Sequence, residues 1–176
     1  AEVRAMAERQ AHPIAPVFDE MSRILILGSF PSVKSREAGF FYGHPQNRFW
    51  KTLAGILAVP VPGSIDEKKE FLLSHHIALW DVYAAAERAG SSDGNIRGGE
   101  FNDIVGFIRK NPTISTIVFN GKKAAKSYAQ YLKKHPDTIN IVEHLHTCAC
   151  PSTSPAILCT GLTFDDLVNR WKDILI

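Results

Sequence analysis

Hydrophobic positions along the chain follow two periods that alternate with each other. Short apolar runs rich in β-branched residues predict buried strands at residues 23–28, 77–82, 116–119 and 139–142. Between these runs, apolar residues recur at helical spacing. Strands that alternate with helices indicate a parallel sheet covered on both faces. We therefore predict an α/β fold, a three-layer α/β/α sandwich around a mostly parallel four-stranded sheet.

The predicted helices are marked by helical spacing or by a capping pair at their start. They are a helix from near Asn47, one capped by Ser64 and Glu67, one over 101–108, one after Asn120-Gly121, and one opened by Thr163 and Asp166. Residues 1–12 are polar and alanine-rich, so we predict a flexible N-terminal segment followed by a single domain over residues 13–176.

Composition changes this picture little but excludes several classes. Hydrophobic residues make up 45% of the chain and charged residues 22%, which excludes a disordered, collagen-like or coiled-coil protein. The apolar runs are too short for a membrane helix, so we expect no membrane partner. A formal charge of +2 excludes a strongly basic DNA coat but allows an enzyme that grips a few phosphates. An odd number of cysteines, 3, favours a reducing compartment such as the cytoplasm.

Most of the unusual chemistry follows the predicted strands, where α/β sheets bind their ligands. Residues 29–46 form a connection much longer than the usual two to six residues. It holds adjacent aromatic residues at 40–42, followed by His44 and Asn47. Such a platform beside an amide suits a flat heterocycle attached to a phosphate chain. Equally, the aromatic residues can form the loop's own small core and Asn47 can cap the following helix.

The segment after the fourth predicted strand, residues 143–156, has two interpretations of its own. Cys148 and Cys150 lie near two histidines, but the second ligand pair of a structural zinc site is missing, so we expect no metal. Hydroxyl and backbone N–H groups of residues 151–155 can hold phosphate, or form a plain polar turn. Lys122 can likewise contact phosphate or lie on a solvated helix face, and Asp81 can accept a ring N–H or cap a turn.

Three segments together resemble the uracil-DNA glycosylase superfamily. They are Gly-Ser-Phe-Pro-Ser at 28–32, His-Pro-Gln-Asn-Arg-Phe-Trp at 44–50 and Pro-Ser-Thr-Ser-Pro-Ala at 151–156. The combination looks most like the hypoxanthine-DNA (deoxyinosine) glycosylase branch, which is related to the mismatch-specific uracil/thymine enzymes. Two positions depart from better-known branches. Phe30 stands where the mismatch-specific enzymes have a water-positioning Asn, and Cys150 stands where other branches have His or Asn.

The resemblance implies a monofunctional DNA glycosylase of base excision repair. Such an enzyme hydrolyses the N-glycosidic bond of a flipped deaminated base, here hypoxanthine by preference, and leaves an abasic site. The implied partner is DNA containing deaminated bases, with no cofactor and a monomeric protein. The alternatives are a uracil or mismatch-specific DNA glycosylase, a catalytically weak nucleic-acid-binding module of the same fold, and a hydrolase of free nucleosides.

The resemblance also implies the site residues, with Asn47 as the catalytic amide, which either donates to the departing base or orients water through its carbonyl oxygen. Asp81 would accept hydrogen from N1 of hypoxanthine, while Asn47 or a backbone N–H donates to O6. The predicted base-binding residues are Phe30, Tyr42, Asp81 and Asn120; the DNA- and phosphate-binding residues are Ser29, Ser32, Lys122, Ser152, Thr153 and Ser154; further candidates are His44 and His146.

Overall fold

The fold is built on a four-stranded parallel sheet, seen in a computed structural model that describes residues 10–11, 14–30, 39–43, 47–87, 97–153 and 163–175. The elements in chain order are β1 (Gln10–Ala11), β2 (Ile24–Gly28), α1 (Phe49–Leu57), α2 (Ile65–Ser74), β3 (Ile77–Asp81), β4 (Tyr83–Glu87), β5 (Arg97–Phe101), α3 (Ile104–Lys110), β6 (Thr116–Asn120), α4 (Lys122–Lys134), a 3-10 turn (Pro136–Thr138), α5 (Ile139–Val142), β7 (His146–Cys150) and α6 (Phe164–Leu175).

The main sheet has the strand order β3-β2-β6-β7, and all of its neighbouring strands are parallel. Its side chains alternate between two hydrophobic clusters, as strand geometry requires. Ile26 packs in a cluster with residues of α1, α2 and α6. Leu25 and Leu27 pack on the other face with residues of α3, α4 and α5. The three-layer α/β/α prediction is therefore confirmed.

Two helix starts show the reciprocal bonds that their sequences predicted. Ser64 Oγ accepts the Glu67 N–H at 3.1 Å, and the Glu67 carboxylate accepts the Ser64 N–H at 3.1 Å. Thr163 and Asp166 form the same pair at the start of α6, at 3.1 and 3.0 Å. Each pair satisfies two backbone donors that a helix start leaves open, and so fixes where the helix begins.

The predicted fourth strand was wrong. Residues 139–142 form the short helix α5, which continues directly from the 3-10 turn, while the fourth strand is β7 at His146–Cys150. A four-residue apolar run does not distinguish a strand from a buried helix turn. β7 escaped prediction because it is an edge strand of the sheet and most of its residues are accessible to solvent, so its sequence carries little apolar signal.

Two further strands, β4 and β5, were not predicted from the sequence. β4 pairs antiparallel with β5 and with β1 in a separate three-stranded sheet. Phe101, predicted as helical, ends β5, and α3 begins at Ile104 because Asp103 accepts the Gly106 N–H at 3.0 Å. The apolar spacing over 101–108 thus spans a strand end and a capped helix.

Candidate active site

The four parallel strands all end at one edge of the main sheet, which we call the carboxyl edge. In register, Gly28 at the end of β2 lies beside Asp81 of β3, and Asn120 of β6 lies beside Cys150 of β7. Asp81 and Asn120 were both predicted as site residues. They come to the same edge because each ends a strand and the strands of the sheet all run in the same direction.

Asn47 is held at this edge by the residue three positions past β7. Its Oδ1 accepts the Thr153 hydroxyl at 2.8 Å and the Phe49 N–H at 2.9 Å. The backbone joins the same two segments, since the Arg48 N–H donates to the Thr153 carbonyl at 3.0 Å. The capping interpretation of Asn47 is thus partly realised: its side chain binds the first residue of α1, although Arg48 is the capping residue by position.

Asn120 turns its amide toward Thr153. Its Oδ1 accepts the Thr153 N–H at 3.0 Å, and its Nδ2 donates to the Thr153 hydroxyl at 3.0 Å. The next residue, Gly121, has φ +97, and an added Cβ there would lie 2.9 Å from Ser152 Cβ. Glycine is needed at this turn because it allows both the backbone angle and the close approach of the 151–153 segment.

The aromatic residues at 40–42 divide between the two predicted roles. Phe40 and Phe41 are buried in the hydrophobic cluster of α1, α2 and α6, as the small-core interpretation predicted. Tyr42 is only half-buried and stacks on Phe49, with ring centroids 4.1 Å apart. Its φ of 53 places it in the left-handed region, and a Cβ on Gly28 would lie 2.9 Å from its hydroxyl. Tyr42 therefore lies beside the end of β2.

Asp81 is 3% exposed and lies close against Gly28, where an added Cβ would overlap its Oδ1. Its backbone is fixed by Asn102, whose Nδ2 donates to the carbonyls of Asp81 at 2.8 Å and Tyr83 at 3.2 Å. Sequence analysis missed both Asn102 and Tyr83. Only their placement just after predicted strand 77–82, and just before α3, could have suggested them.

Phe30 is buried in a small cluster with Tyr83, beside Phe101. Tyr83 in turn stacks on Phe101, with ring centroids 5.1 Å apart. Tyr83 follows Asp81 by two residues, and its N–H donates to the Ser29 carbonyl at 3.0 Å, so this aromatic cluster lies where β2 and β3 end.

Cys150 is buried, and burial together with the nearby Cys148 raises the pKa of its thiol to about 12. The thiol is therefore neutral near pH 7 and supplies neither a thiolate nucleophile nor a charged group. Over the ranges that the structure describes, three or more His, Cys, Asp or Glu side chains nowhere come close enough together to hold a metal ion.

The predicted phosphate-binding residues are placed unevenly. Lys122 is exposed at the start of α4, and Ser152 lies against Gly121 at the same corner. Ser29 is buried at the end of β2. Thr153 is fully buried and its hydroxyl faces Asn47 and Asn120, so it does not present that group to a phosphate. Ser32, Ser154 and His44 lie outside the described residues.

His146 is not brought to this site. It begins β7, whereas the site lies at the other end of the strand, at Cys150. Four residues of strand separate the two ends by roughly 13 Å at about 3.3 Å per residue. Its sequence proximity to the 151–156 motif misled because a strand, and not a turn, connects them.

None of the helices in the described part of the chain has the length and apolar character needed to cross a bilayer.

This arrangement belongs to a known family. Residues 15–175 match the family model of the Uracil DNA glycosylase superfamily, and the chain belongs to that superfamily. It is similar to "Hypoxanthine DNA glycosylase" of Methanosarcina acetivorans, at 40% identity over 62% of this chain and 70% of that protein. It is also similar to "Hypoxanthine DNA glycosylase" of Methanosarcina barkeri, at 36% identity over 68% of this chain and 75% of that protein.

A solved structure agrees with the sequence comparisons. The fold resembles the solution NMR structure of a candidate uracil DNA glycosylase from Methanosarcina acetivorans, with a TM-score of 0.74 and 31% identity. The match covers 92% of this chain and 94% of that one. The family resemblance predicted from the three motifs is confirmed.

Proposed function

We propose that this protein is a monofunctional DNA glycosylase of base excision repair, which hydrolyses the N-glycosidic bond of a flipped deaminated base and leaves an abasic site. Hypoxanthine is its preferred base. The proposal is supported by membership of the superfamily and by two relatives named as hypoxanthine DNA glycosylases. It includes DNA with deaminated bases as the partner, and a monomeric protein that acts in the cytoplasm.

The orientation of Asn47 carries the proposal. Its Oδ1 already accepts two hydrogen bonds, from Phe49 and Thr153, so this oxygen is poorly placed to take a proton from water. Within the described ranges its Nδ2 donates to no other group. Asn47 therefore acts as an N–H donor to the substrate, and not as an acceptor that orients water.

A donor is what the reaction needs at this position. Cleavage of the glycosidic bond leaves positive charge on the sugar and negative charge on the departing base. A preorganised donor directed at the developing anion stabilises the transition state, and one such donor is typically worth about 10²–10³ in rate. Because neither Phe30 nor the neutral Cys150 can supply this stabilisation, the amide of Asn47 has the main role.

Asp81 supplies selectivity. Hypoxanthine carries hydrogen on N1, which adenine lacks, so a fixed acceptor favours the deaminated base. Asp81 is buried at the end of β3 and its backbone is held by Asn102. Tyr42, supported from behind by Phe49, provides the ring on which the flipped base stacks. Lys122 and Ser152 contact the flanking phosphates.

Uracil is the second candidate substrate. It has a ring N–H of its own, at N3, which Asp81 can accept in the same way. The NMR structure that this fold resembles is described as a candidate uracil DNA glycosylase. Excision rates on hypoxanthine, uracil and xanthine in otherwise identical duplexes rank the three bases directly.

The decisive experiment treats these oligonucleotides with the protein and then with alkali, which breaks the strand at an abasic site. We expect strand breaks on the hypoxanthine duplex only after alkali. Asn47→Ala should lower the single-turnover rate by about 10²–10³, because it removes the donor. Asn140→Ala is the matched control, since Asn140 is exposed on α5.

Three outcomes would contradict the proposal. A folded Asn47→Ala variant with a normal rate removes the catalytic assignment. Binding of damaged duplex without any strand break after alkali shows a binding module that has lost the chemistry. Cleavage of free inosine as fast as of the polymer shows a nucleoside hydrolase.

A further inference from the structure

The buried hydroxyl of Thr153 forms hydrogen bonds with the side-chain amides of Asn120 and Asn47. The backbone N–H groups of Thr153 and Phe49 fix the direction of these bonds. The Thr153 N–H donates to Asn120 at 3.0 Å, so the contacting atom of Asn120 must be its oxygen. The other end of that amide, Nδ2, then donates to the Thr153 Oγ1 at 3.0 Å.

A hydroxyl has a single proton, so the Thr153 hydroxyl can donate only one hydrogen bond. Because Oγ1 accepts from Asn120, its own proton goes to Asn47, 2.8 Å away. The contacting atom of Asn47 must therefore be its oxygen, as the Phe49 N–H at 2.9 Å independently requires. Both hydrogen bonds therefore direct the Asn47 Nδ2 away from Thr153.

We propose that Thr153 and Asn120 are positioning residues, which hold the Asn47 amide with its N–H toward the flipped base. This inference rests on the proposed function of Asn47 as a donor. It gives Asn120 and Thr153 a different role from the base and phosphate contacts that the sequence predicted. Both are largely buried, at 9% and 0% exposure, as positioning residues need to be.

The orientation matters because the two ends of an amide have opposite effects on an anion. A half-turn of Asn47 would replace the donor by an oxygen lone pair that repels the departing base. A hydroxyl with its proton directed at Oδ1 opposes that turn, and enzymes lose up to about 10² in rate from small misplacements of a reacting group.

The first test compares Thr153→Val, which keeps the shape and removes the hydroxyl, with Thr153→Ser, which keeps the hydroxyl. We expect Thr153→Val to lower the single-turnover excision rate by about 10-fold to 100-fold. DNA affinity should stay within about 2-fold, because no DNA contact is removed. Thr153→Ser should stay within about 3-fold of the wild type in rate.

A matched control separates positioning from loss of stability. Ser127 is a buried hydroxyl in α4 that donates to the Lys123 carbonyl at 2.8 Å. Ser127→Ala also removes one buried hydroxyl bond, but we expect it to keep the full excision rate. In an Asn47→Ala background, Thr153→Val should cause no further loss of rate, because nothing is left to orient.

Asn120→Asp reverses the hydrogen bond between residue 120 and the Thr153 hydroxyl without changing the shape of the side chain. An aspartate accepts from both the Thr153 N–H and the Thr153 hydroxyl, so the proton turns away from Asn47. We expect a loss of rate similar to that of Thr153→Val. Because this variant also introduces a carboxylate, which by itself disfavours the departing anion, the uncharged Thr153→Val is the variant whose rate tests positioning.

A second readout is independent of activity. The side-chain amide resonances of Asn47 in the free ¹⁵N-labelled protein should shift or broaden in Thr153→Val and Asn120→Asp, and remain in place in Thr153→Ser and Ser127→Ala. Unchanged resonances together with an unchanged rate in Thr153→Val would overturn the proposal. If the wild type excises no base, the proposed function fails, while these resonances still decide whether Thr153 orients Asn47.

Discussion

Backbone hydrogen bonds join both halves of the carboxyl edge, and the β6–β7 half adds bonds that run from side chain to side chain. On the β2–β3 half, backbone groups pair with each other: the Val82 N–H with the Gly28 carbonyl at 2.8 Å, and the Asn102 N–H with the Val82 carbonyl at 2.8 Å. On the β6–β7 half, the Arg48 N–H donates to the Thr153 carbonyl at 3.0 Å, and the side chains of Asn120, Thr153 and Asn47 also bond to each other.

Under the proposed function, this difference between the two halves assigns base selectivity to the β2–β3 half and reaction rate to the β6–β7 half. Backbone pairs persist when most side chains change, so the half that carries Asp81 keeps its shape when Asp81 itself is replaced. Under the proposed function, this half recognises the base through that one side chain. In the β6–β7 half, the Thr153 hydroxyl bonds to the Asn47 amide, so a single substitution there can turn that amide. We therefore expect substitutions near Asp81 to change base preference, and substitutions near Thr153 to change rate on every base alike.

The largest effect in the β2–β3 half is expected from Asp81→Asn. Hydrogen bonds to a charged group are worth about 1 kcal/mol more than neutral ones, so excision of hypoxanthine should fall by about 5-fold. The ratio of hypoxanthine to adenine excision should narrow, because the asparagine amide can also donate to N1 of adenine. Single-turnover rates on the two duplexes measure this ratio.

Asp137→Asn is the control for Asp81→Asn, since Asp137 is exposed in the 3-10 turn before α5. Equal losses of rate on all bases after Asp81→Asn would contradict the division between the two halves, because that result would make Asp81 a rate residue.

A smaller effect is expected from Asn102→Ala. It removes two hydrogen bonds, to the carbonyls of Asp81 and Tyr83, and should lower the free energy of unfolding by about 1–2 kcal/mol. In a chain of this length, that corresponds to a decrease in Tm of roughly 2–8 °C, measurable by calorimetry. Base preference should shift while the rate on hypoxanthine falls only slightly, because the backbone pairs remain. A rate loss as large as that of Asn47→Ala would show that this half, too, controls the chemistry.

The smallest effect is expected from Cys150→Ala, because the thiol is neutral at working pH. Excision between pH 6 and 9 should change by less than about 2-fold. The pKa of Cys150 is raised from 9.0 to about 12 in the folded protein, so its contribution to stability is present below pH 9 and is lost as pH rises toward 12. The decrease in stability over that pH range should therefore be smaller in Cys150→Ala. A change in the pH dependence of excision near neutrality would contradict a neutral thiol.

The sequence predicted those parts of the fold that have a strong period or a capping pair. The central strands and the starts of α2 and α6 are examples, because their signals are local. β7 was missed because an exposed edge strand needs few apolar residues, and α5 was misassigned because its run was too short. β4 and β5 were missed because alanine, glycine and charged residues, which are uncommon in strands, make up most of their sequences.

The candidate site divides in the same way. Asn47, Asp81 and Tyr42 followed from motifs and strand ends, and the structure brings them to the edge where the strands finish. The roles of Thr153 and Asn102 depend on which way a side chain points after folding, and no local pattern encodes that. His146 shows the converse, since a position close in sequence to a motif lies at the far end of a strand.

The bond between Asn47 and Thr153 joins residues 106 positions apart in the chain. Contacts of such separation close late in folding, after the intervening segments are in place. During translation, the Asn47 side chain can therefore meet this partner only after residue 153 has left the ribosome. A chain that stops before residue 153 therefore lacks the hydroxyl that bonds to the Asn47 amide.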